Sequence, residues 1–142
     1  MKINFTKDQY RQLLELLYLG EWVANSAKDE EDRIVEYDEL YQHVISFAKE
    51  FNCDDIITYD ESFDAHIETM EYENAMQKHI AKYDGDVFWT ELAERLAKRD
   101  VLEKLGDQAP NDEVIDELFA VEEKYLKEFA ENGMNHISVK KD

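Results

Sequence analysis

Proline occurs once, cysteine once and glycine four times in 142 residues, and no apolar run approaches the length of a membrane span. A chain with so few turn-forming residues is seldom forced to reverse, which points to helices. The lone Cys53 cannot close an intramolecular disulfide, and no charged-then-apolar leader precedes the first helical pattern, so a cytoplasmic location is expected. Because Cys53 directly precedes Asp54 and Asp55, whose charges disfavour a thiolate, it reads as a small hydrophobe and not as a nucleophile. HExxH, GxSxG, GxxxxGKS/T and GxGxxG are all missing, and the isolated glycines leave no phosphate-cradling loop. The Glu-x-x-His pairs of a di-iron bundle are missing too, since Leu40, Phe63, Met76 and Gly133 stand three residues before the four histidines.

Positive charge is also scarce. Sixteen Lys and Arg face 35 Asp and Glu, a formal net charge of −19, so the compact state repels itself at low salt. Such a surface disfavours direct binding of nucleic acid or an anionic membrane, whose phosphates it would repel, and favours a basic protein or a cation.

What is present is a folding composition, 44% hydrophobic and 12% aromatic, at a length for which one core is enough. Residues 1–142 are therefore expected to form a single acidic helical domain, a mainly α bundle of about five helices. Thr6 and Gln9 carry a capping-box signature that opens a helix through about residue 27, with Tyr10, Leu13, Leu14, Leu17 and Val23 or Ala24 facing the core. Over residues 30–51, Ile34, Tyr37, Tyr41, Val44, Ala48 and Phe51 recur at steps of three and four, the spacing of a helix seam. Further helices are expected over residues 68–83 and 87–105, the second ending at Gly106 with Pro110 beyond it. The last should run over residues 112–132 and stop at Gly133. Residues 2–5 and 136–140 alternate polar and apolar side chains, and their pairing would join the N- and C-terminal segments in a short two-stranded ribbon.

The acids concentrate in one part of the chain. Between Lys49 and Lys78 there is no Lys or Arg, while Glu50, Asp54, Asp55, Asp60, Glu61, Asp64, Glu68, Glu71 and Glu73 all fall in that window. Carboxylates three or four residues apart on a helix sit about 5–6 Å from one another. A row such as Asp32, Glu36 and Glu39 would then imitate a line of phosphates and attract a basic, nucleic-acid-binding protein. With the window, this makes Asp32, Glu36, Glu39, Asp54, Asp55, Asp60, Glu61 and Asp64 the expected contact residues of an interaction module, an inhibitor or nucleic-acid mimic. A plain solvated face is the bland reading of the same pattern.

Residues 60–71, DESFDAHIETME, also match parts of an EF-hand loop. Asp60, Ser62, Asp64, Glu68 and Glu71 fall at positions one, three, five, nine and twelve, the alternating oxygens that calcium requires. Position six, where the sharp turn favours glycine, is Ala65, which would be strained there by about 1–2 kcal/mol. A calcium-binding domain is therefore the alternative reading, and an enzyme working through a carboxylate pair is the third. Glu39 and His43, one turn apart, read as a surface ion pair before half a metal site. Aromatics at helical spacing read mostly as core, and Tyr18, Trp22 and Phe47, which lie off the strictest seams, are the candidates for an interface with a partner or with a second copy of the chain.

Overall fold

Thr6 opens α1 (Lys7–Asn25) with the expected capping box: its hydroxyl accepts the Gln9 N–H at 3.2 Å, and its own N–H donates to Gln9 Oε1 at 3.0 Å. The computed structural model describes residues 2–105 and 111–138, in which a single 3-10 turn (Glu30–Asp32), α2 (Val35–Ile45), β1 (Ile57–Asp60), β2 (Ala65–Glu68), α3 (Met70–Leu105) and α4 (Asp112–Asn132) follow α1. The fold is mainly helical, as expected, with four α-helices among the described residues and not five. None of them is long and apolar enough to cross a membrane. By its contacts the chain divides into two compact units, Met1–Ala81 and Lys82–Asp142, with the boundary inside α3.

The helix count differs because α3 continues through Gly85. One interior glycine costs about 1 kcal/mol relative to alanine, whereas ending a helix and starting another strands four carbonyls and four N–H groups. The segment after Gly85 keeps helical partners, with Lys82 pairing with Asp86 and the Thr90 hydroxyl donating to the Asp86 carbonyl at 3.0 Å. The second expected helix is shorter than residues 30–51. Arg33 and Ile34 are extended at its start. At its end the bonds tighten to three-residue steps, Ala48 N–H to the Ile45 carbonyl and Asn52 N–H to that of Lys49, before Asn52 turns at φ 54°.

Among the described residues the expected terminal ribbon has no strands: residues 2–5 and 136–138 are not in strands, and residues 139–140 lie outside the described set. The two-stranded antiparallel sheet pairs β1 with β2 instead, Ile57 opposite Glu68 and Asp60 opposite Ala65. Closing a four-residue loop costs far less chain entropy than joining segments at opposite ends of the sequence.

In the first unit Tyr10, Leu14, Tyr41, Ile45, Ala48, Cys53, Ile56, Ile57, Tyr72 and Met76 form one buried cluster. Each large apolar side chain buried there is worth about 1.5–3 kcal/mol. The Tyr10 hydroxyl donates to the Val44 carbonyl at 2.6 Å while its ring stacks on Phe51, centroids 4.1 Å apart, and burial pushes its pKa up to about 12. Cys53 is fully buried, and that burial pushes its thiol up, in keeping with a packing role. Asn25, 1% exposed, ties the end of α1 to the residue before α2: its Oδ1 accepts the Ile34 N–H at 2.8 Å and its Nδ2 donates to the Ile34 carbonyl at 3.3 Å.

In the second unit Ala93, Ala97 and Val101 of α3 are buried at four-residue steps, and Val114 and Phe129 of α4 are buried too. Trp89 meets Phe129 at 5.2 Å between ring centroids. Asn111 caps α4 by accepting the Val114 N–H at 3.0 Å, and Gly133, at φ 56°, ends it by returning its N–H to the Phe129 carbonyl at 2.9 Å. The expected bounds of this helix, residues 112–132, are those observed.

Candidate interaction surface

Residues 1–81 hold 19 acids against seven bases, so most carboxylates of this unit have no base to meet. Its two arginines are engaged. Arg11 grips Asp55 through both carboxylate oxygens, at 2.8 and 2.9 Å, and holds that carboxyl below its ordinary range. Arg33 takes Asp38 at 2.8 and 3.2 Å and Glu21 at 2.9 Å. The guanidinium lowers the Asp38 pKa, whereas burial raises that of Glu21.

The eight expected contact residues therefore separate by role. Asp55 is committed to Arg11, and Asp60 and Asp64 shape the hairpin turn. Asp60 Oδ1 accepts the Ser62 N–H at 2.7 Å, and Asp64 adopts the left-handed conformation at φ 50° while its carboxylate accepts from the Tyr59 hydroxyl. Asp32, Glu36, Glu39, Asp54 and Glu61 are exposed and make no ion pair among the described residues. Glu36 and Glu39 share one face of α2, but Asp32 stands on the preceding 3-10 turn, cut off by the extended Arg33 and Ile34, so the row of three is not one helical row.

The stretch that matches a calcium loop folds as the β1–β2 hairpin. Its left-handed residue is Asp64, a type that tolerates this conformation, and not the Ala65 that an EF-hand turn would need. Asp60 and Glu68 lie on strands, Glu71 lies in the first turn of α3, and the Tyr41 hydroxyl donates to Glu68 Oε1 at 2.5 Å. Burial and that carboxylate push the Tyr41 pKa far up. Among the described residues no three His, Cys, Asp or Glu are gathered to hold a metal ion, so Asp60, Ser62, Asp64, Glu68 and Glu71 do not present a calcium shell.

Beside Glu36 and Glu39 runs an apolar row that periodicity alone does not separate from the core seam. Tyr37 and Val44 were assigned to the core seam, yet the buried stripe of α2 and the turns after it is Tyr41, Ile45 and Ala48. Tyr37, 48% exposed, and Leu40, 50% exposed, continue through half-buried Val44 to Phe47, 37% exposed, at steps of three, four and three. His43 meets the Phe47 ring edge-on at 5.2 Å. The signal was present in the sequence, since Leu40, Ile45 and Phe47 had no place in a single seam. Of the other aromatics expected at an interface, Trp22 is half-buried, and Tyr18 is packed edge-on against Tyr41 and Tyr72.

In the second unit a cleft of about 290 Å³ is lined by residues that include Arg99, Tyr125, Glu128 and His136. Its titratable groups pair with one another or with neighbours. His136 lies 2.5 Å from Glu128, and the Tyr125 hydroxyl donates to Asp100, which raises the tyrosine pKa. Comparison with protein-family models, with curated proteins and with solved structures finds no match to this chain.

Proposed function

We propose that the chain is a cytoplasmic, non-enzymatic interaction module whose acidic first unit docks onto a basic protein, blocking the surface with which that protein binds nucleic acid. The observation that carries this reading is the set of exposed, unpaired carboxylates Asp32, Glu36, Glu39, Asp54 and Glu61 in a unit of 19 acids and seven bases. A basic side chain that meets them releases bound counterions as it would on a phosphate backbone, so attraction is long-ranged and falls with salt.

The test is capture of binding proteins by the tagged chain, followed by competition between the chain and duplex DNA for the captured protein. A basic protein that leaves as salt rises, is displaced from DNA, and binds the variant carrying Glu36→Lys, Glu39→Lys, Asp54→Lys and Glu61→Lys at least about tenfold more weakly supports the reading. Unchanged binding by that variant overturns it.

A further inference from the structure

The free acids on α2 lie beside a row of exposed Tyr37, Leu40 and Phe47 linked by half-buried Val44, and the two features constrain one another. The inner stripe of the same segment, Tyr41, Ile45 and Ala48, is already buried in the core and half-buried Val44 packs against it, whereas Tyr37, Leu40 and Phe47 remain exposed. Exposed apolar residues scattered singly require no explanation, but three of them joined at helical spacing through half-buried Val44 form a strip that a second helix can cover. Steps of three and four match the side-chain rows of a helix and not the two-residue alternation of an extended chain.

The flanking charge selects the occupant. Glu36 and Glu39 stand beside the row without an ion pair among the described residues, while Asp38, the remaining acid of α2, is held by Arg33. Residues 34–48 contain no Lys or Arg. A second copy of this face would set Glu36 and Glu39 against acids of the same kind, and an anionic lipid surface would be repelled by them.

We propose that this face of α2 and of the turn after it seats an amphipathic basic helix of the partner protein, with its apolar residues at three- and four-residue steps on Leu40 and Phe47 and its Lys or Arg on Glu36 and Glu39. This inference rests on the reading of the chain as an acidic docking module and names the part of the partner that it recognises. It also separates the two contributions: the carboxylates bring a basic segment in, and the apolar row distinguishes a helix from any other run of positive charge.

The probe is a leucine–lysine peptide of about five helical turns, with leucines on one face, against a peptide of the same composition in scrambled order. Both are titrated into the full chain by calorimetry, and the oligomeric state of the free chain is followed by sedimentation. The amphipathic peptide should bind at least about tenfold tighter than the scrambled one. The variant with Leu40→Ser and Phe47→Ser, whose far-UV spectrum and urea midpoint check its fold, should lose that preference while retaining the weaker, salt-sensitive binding common to both peptides. Replacing Glu36 and Glu39 by Gln should weaken both peptides and leave their order unchanged. Equal binding of the two peptides, or an unchanged preference in the Leu40→Ser and Phe47→Ser variant, overturns the inference but leaves the acidic docking reading standing. Absence of binding by either peptide at low salt overturns both. A concentration-dependent dimer that the same two substitutions abolish also overturns the inference, because the occupant is then a second copy.

Discussion

Replacing Asn25 by alanine should destabilise the first unit by about 2–3 kcal/mol, although position 25 closes a helix that alanine favours. Asn25 makes three hydrogen bonds from a side chain that is 1% exposed: to the Ile34 N–H at 2.8 Å, the Ile34 carbonyl at 3.3 Å and Glu21 Oε1 at 3.1 Å. Each such bond contributes about 1 kcal/mol net, and the stranded Ile34 N–H adds a desolvation penalty, while the Ile34 carbonyl still accepts the Tyr37 N–H at 3.1 Å. The gain in helix propensity on going to alanine is only about 0.6 kcal/mol, so the lost bonds win. The assay is urea unfolding followed by the fluorescence of Trp22, in a Trp89→Phe background so that the signal comes from the first unit alone. The midpoint should fall by about 1 M or more at unchanged slope. A shift within about 0.2 M would show that water replaces the Asn25 amide without loss, and would refute the claim that this side chain ties α1 to the start of α2.

Gly85→Ala should stabilise the chain by about 0.5–1 kcal/mol, because the position is interior to α3 and an added Cβ meets no atom within 4 Å; a lower thermal midpoint would contradict a continuous helix there. Neutral salt should raise the melting temperature at pH 7 by screening the mutual repulsion of 35 acids that only 16 bases offset, and a fall would mean that local ion pairs outweigh that repulsion. Because Arg11 holds the Asp55 carboxyl below its ordinary 3.8, the unfolded chain takes up this proton first as the pH falls. The pair's contribution is thus present above that value and lost as the pH drops through and below it, so the difference in urea midpoint between the wild type and Asp55→Asn should shrink in acid. A difference that holds constant at all pH values would rule out the ion pair as its source.

Several elements were legible because their signals are local. The Thr6 and Gln9 capping box and the Gly133 stop act within one helical turn, and the structure keeps both. The hairpin was hidden for the converse reason. Asp60, Ser62 and Asp64 supply oxygens at alternate positions for a turn as readily as for a cation, and only the pairing of Ile57–Asp60 with Ala65–Glu68 decides between them. Gly85 reads as a break until the stranded backbone groups of a broken helix are weighed against one missing side chain.

Composition and short-range spacing by themselves determined that this chain is helical, strongly acidic and capped at Thr6 and Gly133, because net charge, propensity and capping depend on residues within a few positions of one another. Which carboxylates remain free was decided by tertiary contacts, since Arg11 reaches Asp55 across 44 positions of sequence and Arg33 reaches Glu21 across 12. The same holds for the two stripes of α2. Periodicity marks both as candidates for burial, and only the packing around Tyr10, Leu14 and Tyr72 chose Tyr41, Ile45 and Ala48 for the core and left Tyr37, Leu40 and Phe47 facing outward.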